Sequence, residues 1–153
     1  MDGEFSHTYS AFIKASPGRV WEALTDPSQT VQYFPYQEVR SEWRDGSDVA
    51  YTGPDGTVRA SGTVVEADEP RRLVLTVNAD GFSQSPSHDK FSLIWDIEPF
   101  GEATLLTVTH SGPDAIRDLL VRATGHCPHT VSGLKTLVET GAPLRITDPS
   151  PAR

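Results

Sequence analysis

A single cysteine, Cys127, among 153 residues cannot form an intramolecular disulfide framework or a cysteine-rich zinc site within one chain. That favours a reducing compartment, and the cytoplasm is the expected location. Long apolar runs are also missing: nothing in the sequence is long enough to span a bilayer. The N-terminal MDGEFSHTYS lacks the basic start and apolar stretch of a secretory signal, so a soluble chain with no membrane partner is expected. Positive charge is scarce, with 13 Lys and Arg against 21 Asp and Glu and a formal net charge of -8. Such a field repels nucleic-acid phosphates, which excludes nucleic acid as an expected partner. The usual catalytic signatures are absent as well. There is no Gly-x-Ser-x-Gly elbow, no phosphate-binding glycine-rich loop and no His-Glu-x-x-His.

What is present suits one domain, expected over residues 1–145 with a flexible tail at 146–153. Phe5, His7, Tyr9, Ala11 and Ile13 alternate with small polar residues, the period of a half-buried strand, although Phe12 breaks the pattern. Ser16 and Pro17 then open a helix with Val20, Trp21 and Leu24 on one face, and Asp26-Pro27 closes it. Residues 28–34 fit one more short helical turn. A strand over Tyr36–Arg44 would put Val39, Ser41 and Trp43 on one side. Turn signals separate further short strands at 49–52, 58–67 and 73–78, the spacing of an antiparallel meander.

After an aperiodic loop at 79–89, Phe91, Leu93, Trp95 and Ile97 share a face, and so do Leu106, Val108 and His110, which predicts a hairpin. The period then changes to helical. Ile116, Leu119, Leu120 and Ala123 form one apolar face, and Val131, Leu134, Leu137 and Val138 another, with an interruption at Gly125–Pro128 and a stop at Gly141. A long amphipathic helix laid over a curved sheet can leave a hollow between the two.

Four separated stretches, IKASPGRVWEALTDP, GTVVEADEPRRLVLT, WDIEPFGEATLLTVTHSG and VSGLKTLVETGAPL, resemble the bacterial branch of the family named after the activator of heat-shock protein 90 ATPase. That branch lies in the START-like, or birch-pollen-allergen-like, superfamily. The resemblance covers nearly the whole chain. It implies an α+β helix-grip fold, a curved antiparallel sheet wrapped around a long C-terminal helix with an apolar cavity between them. Its members include carriers, cyclases, drug-sequestering proteins and a chaperone cofactor, so fold alone does not choose among activities. Where many relatives resemble a Gly-Trp pair before the final helix, this chain has His126-Cys127.

Within that frame, Phe34, Tyr36, Trp43, Tyr51 and Trp95 offer large amphipathic surfaces to a flat apolar guest, or simply fill a core. His110 should face the concave side at its strand's end, as a ligand contact, an acid or base, or a brace for the Ser111-Gly112 turn. Cys127 would sit at the rim and Leu134 deep under the helix. The residues expected to bind a ligand are thus Phe34, Trp43, Tyr51, Trp95, His110, Cys127 and Leu134, with none assigned to catalysis.

The expected partner is a hydrophobic small molecule, with a homodimer as a further assembly. A cavity enzyme using His110, and a chaperone cofactor, are the alternatives. Asp96 lies on the face opposite Trp95, which removes the obvious carboxylate partner for His110. No cofactor is implied. His126, Cys127 and His129 are close together, but two are adjacent and no carboxylate or fourth ligand is near in sequence, so they read as a helix break around Pro128 and not as a metal site. Elemental analysis of the purified protein should accordingly find no stoichiometric zinc. Zinc at one per chain that vanishes in Cys127→Ser would contradict this.

Overall fold

The computed structural model describes residues 4–34, 38–78 and 89–144. Its first strand, β1 (Glu4–Ile13), leads into two short helices, α1 (Pro17–Thr25) and α2 (Pro27–Tyr33). The local chemistry explains the bend between them. The Ser16 side chain accepts from the Arg19 amide at 3.2 Å, and Pro17 takes a position where no amide is needed. Asp26 ends α1 and also caps α2, its carboxylate accepting from the Ser28 amide at 3.0 Å. Hydrogen bonds from the Ser28 and Gln29 side chains hold that carboxyl below its ordinary pKa.

The remaining strands are β2 (Glu38–Ser41), β3 (Asp48–Thr52), β4 (Val58–Asp68), β5 (Arg72–Asn78), β6 (Lys90–Phe100) and β7 (Ala103–Pro113). They join β1 in a seven-stranded curved sheet of order β1-β7-β6-β5-β4-β3-β2, with every pairing antiparallel. Register shifts at Tyr51/Thr52 and Val64/Glu66 are bulges that help bend it. Strict alternation of buried and half-buried residues in β5, β6 and β7 gives the sheet one apolar face. Cross-strand partners such as Leu75 and Leu93, or Trp95 and Val108, meet on it.

A 3₁₀ turn (Asp114–Ile116) follows β7, then α3 (Arg117–Thr124) and α4 (Cys127–Thr140). The final helical element is therefore two helices and not one kinked rod. Pro128 explains the division: it has no amide, and its ring would collide with the Thr124 carbonyl four residues earlier. The chain instead turns at Gly125 and His126, whose amides bond back to the carbonyls of Val121 and Ala123, each at 3.1 Å. Packing of α4 on α2 is close, since a Cβ on Gly133 would stand 2.8 Å from Tyr33 Cβ. Around that contact Val20, Ile97, Leu106, Leu134 and Leu137 are buried in one continuous core.

Two strand boundaries differ from the sequence expectation. The second strand stops at Ser41, so Trp43 does not continue its inner face. Trp43 adopts a left-handed φ of 55° and its indole Nε1 donates to the Thr25 carbonyl at 2.9 Å, drawing it to the end of α1. At the other end, β7 runs three residues past His110, because Ser111, Gly112 and Pro113 still pair with β1. The expected loop lies outside the described residues apart from Asp89, as do Tyr36 and the tail from residue 146.

Gly62 offers a sharp test of this sheet. A Cβ there would lie 2.0 Å from the backbone oxygen of Thr76, which cannot yield without moving β5. Gly62→Ala should lower unfolding free energy by about 2–3 kcal/mol, the range for overpacking. Gly18 in α1 has nothing within 4 Å of a Cβ, so Gly18→Ala should be neutral or stabilising by up to about 1 kcal/mol. Urea denaturation of both variants decides the comparison.

Candidate functional site

The inner face of the sheet and the two last helices enclose a cavity of about 450 Å³. This is within the size range of small-molecule sites. The sheet contributes Tyr51 from β3, Val77 from β5, Phe91, Leu93 and Trp95 from β6, and Val108 and His110 from β7. Phe34, at the end of α2, adds an aromatic ring in edge contact with Tyr51 at 6.0 Å between centroids. Opposite them stand Leu119, Arg122 and Ala123 of α3, His126 at the break, and Cys127, Thr130 and Val131 of α4.

The cavity's position follows from the helix break. Beyond Val131 the inward residues of α4, Leu134 and Leu137, are 0% and 3% exposed within the packed core, which leaves no space beneath them. Before it, α3 is a separate helix. Gly112 of β7 brings the two layers together there, since a Cβ would stand 3.0 Å from both Leu120 Cδ1 and Phe91 Cβ. The gap lies between these two tight contacts, over Trp95 and His110.

The polar chemistry is concentrated at one wall. His110 is 8% exposed, pairs across the sheet with Leu93 on β6 and His7 on β1, and stacks with Phe91 at 6.1 Å between centroids. Its Nδ1 lies 3.7 Å from Cys127 Sγ. Burial, and secondarily the charge of His7, push the His110 pKa down to about 4. Burial raises the Cys127 thiol above its ordinary value. The pair is therefore an uncharged imidazole beside an uncharged thiol at neutral pH. His7 Nδ1 is buried without a hydrogen-bond partner among the described residues. Burial also raises the Tyr51 phenol, keeping it protonated.

Of the residues singled out from sequence, the structure brings Phe34, Tyr51, Trp95, His110 and Cys127 together around the cavity. Trp43 and Leu134 are not among its lining residues; the first is bound to the end of α1 and the second is fully buried. Arg122, Ala123, Thr130 and Val131 line it as well. Their helical spacing was visible, but nothing in a linear pattern says which turn of a broken helix faces a gap. His126 lines the cavity whereas His129 does not, and among the described residues no group of three or more His, Cys, Asp or Glu could hold a metal ion.

A buried neutral imidazole makes stability depend on pH with a definite sign. Between its unfolded pKa of 6.5 and its folded pKa of about 4, His110 is protonated in the unfolded chain and not in the native one. Acidification through that window therefore favours unfolding, by up to roughly 3 kcal/mol if the whole difference is realised. His110→Gln should lose less stability than wild type between pH 7 and pH 4.5 in denaturant titrations. Equal losses would show that His110 is not the group responsible.

Comparisons with known proteins agree with this architecture. CalU16 from Micromonospora echinospora superposes with a TM-score of 0.71 over 92% of this chain and 87% of its own, at 19% identity. The Aha1 dimer from Colwellia psychrerythraea gives 0.70 over 90% and 98%, at 18% identity. DynU16, from the dynemicin biosynthetic locus, gives 0.74 over 90% of this chain but 48% of its own, at 22% identity. At these identities the likeness establishes the helix-grip fold and nothing finer. No curated protein sequence matches significantly. The family model described as Activator of Hsp90 ATPase homolog 1-like protein matches residues 14–139, which takes in α1, α2, β2 to β7, α3 and all but the last residue of α4, and leaves out β1. With that match, the chain belongs to the Activator of Hsp90 ATPase homolog 1-like family.

Proposed function

We propose that this protein binds a small apolar or aromatic molecule in the cavity between its sheet and α3–α4. One observation carries the reading: a space of about 450 Å³ walled by Trp95, Phe91, Leu93, Val108 and Val131, with no acidic side chain on it among the described residues. Burying apolar area there contributes about 2.5 kcal/mol per 100 Å² removed from water, before the costs of association. His110, Tyr51 and Thr130 supply the few polar groups that orient a guest.

The cavity suits binding better than acid–base catalysis. His110 and Cys127 are both held uncharged, and among the described residues no carboxylate lines the cavity to polarise them. A homodimer in the cytoplasm belongs to the same proposal. The solved Colwellia relative is a dimer. Phe12 and Phe100, 53% and 60% exposed, also form an edge-to-face pair at 5.1 Å that a second copy could cover.

Native mass spectrometry and tryptophan fluorescence against a panel of lipids, polyketides and aromatics should reveal at least one ligand bound at one per chain. Ala123→Phe, which places a ring in the cavity, should weaken that ligand by tenfold or more with an unchanged melting temperature. Absence of any response across the panel would defeat the proposal. Turnover of a bound ligand that is lost in His110→Ala while binding persists would favour the enzyme. Stoichiometric recovery of a chaperone from lysate would favour the cofactor role.

A further inference from the structure

The cavity is not uniformly apolar: its polarity is asymmetric and of one sign. Among the described residues that line it, the only permanently charged side chain is Arg122, on the last turn of α3. It is exposed at the mouth and forms no ion pair with any described residue. Asp118 is one turn earlier on the same helix, yet it does not engage Arg122. Most of the chain's other arginines are partnered, Arg40 by Glu38, Arg71 by Asp68, Arg72 by Asp96 and Arg117 by Asp114. In a chain of net charge -8, a cation left open at the rim of an apolar hollow is a local reversal of sign.

A neighbour reinforces it. His126, also exposed and also lining the cavity, presents ring N–H donors four residues after Arg122. It is also the N-cap of α4, where no side chain caps the helix and no acidic residue occupies the first turn. That helix end adjoins the C-terminal end of α3, so the two helix dipoles offset each other at the break and the formal charge at the rim is that of Arg122. An apolar molecule has no use for a guanidinium and an imidazole gathered at one rim. A molecule with an apolar body and one anionic terminus uses both halves of the site: the body lies against Trp95, and the anion reaches Arg122 at the boundary with solvent, where desolvation costs little.

We propose that the guest is an amphiphile carrying a terminal carboxylate, its apolar part inside the cavity and its carboxylate held at the mouth by Arg122 and His126. This rests on the binding role proposed above, and narrows it to a chemical class. The apolar wall set by Val77, Phe91, Leu93, Trp95 and Val108 then selects size, while the mouth selects charge.

Isothermal titration of two matched pairs tests it: decanoate with decanol, and 2-naphthylacetate with 2-naphthylethanol. In each pair the body is the same and only the terminus changes. Wild type should bind at least one of the two carboxylates about tenfold more tightly than its alcohol, with the preference shrinking as salt is raised. Arg122→Gln, a change on an exposed helix position, should reduce that preference to about twofold or less, the carboxylate losing more affinity than the alcohol. Arg59→Gln, an exposed arginine on β4 that is not among the residues lining the cavity, should retain it, which separates local capture from a change in net charge. Equal affinity for acid and alcohol in wild type, or a preference that survives Arg122→Gln, overturns the carboxylate inference while the apolar binding role stands. If neither member of either pair binds, the binding role fails, and the inference with it.

Discussion

The proline at position 128 is the constraint on which the site depends. Without an amide, and with a ring that collides with the preceding turn, it forbids α3 and α4 from forming one straight rod. Two separate helices must then cover one curved sheet. The longer, α4, is drawn down by the approach of Gly133 to Tyr33 and by burial of Leu134 and Leu137. The shorter, α3, is anchored at its start by Leu120 over Gly112. Neither contact reaches the region of the break, and the sheet beneath it is left facing an open volume. An uninterrupted helix packed along its whole length would leave no such gap.

The chemistry of the volume is a consequence of where it opens. Deep inside, low polarity removes charge from whatever titrates: His110 loses its proton, while Cys127 and Tyr51 keep theirs. Nearer the surface, the break exposes the end of one helix and the beginning of the next. Arg122 closes the first and His126 opens the second, so the guanidinium sits at the rim of the hollow on a protein of net negative charge. The same backbone turn therefore accounts for the hollow and for the sign of its mouth.

Family membership does not choose an activity here. The family model spans residues 14–139, and the fold is shared with proteins about one-fifth identical. At that distance side chains around the cavity are free to differ. His126 and Cys127, both on this cavity's wall, belong to this chain's own version of the site.

Much of the fold was legible in the sequence because it rests on local rules. Alternation in Phe91–Ile97 and Leu106–His110 named the inner faces of β6 and β7, Ser16-Pro17 and Asp26-Pro27 marked the start and end of α1, and Gly141 marked the end of α4. Five of the seven residues expected at a ligand site do line the cavity, since strand phase alone settles which way Trp95 and His110 point. Trp43 could not be placed this way: its left-handed backbone and its bond to Thr25 reverse the direction that a continued strand would give it. Arg122 and Leu134 show the same limit from opposite sides, one an ordinary surface arginine in sequence and the other an ordinary helix-face leucine. Periodicity determines which face of an element is apolar. Whether that face meets packed side chains or empty space depends on distances between elements far apart in the chain, and those only the tertiary structure decides.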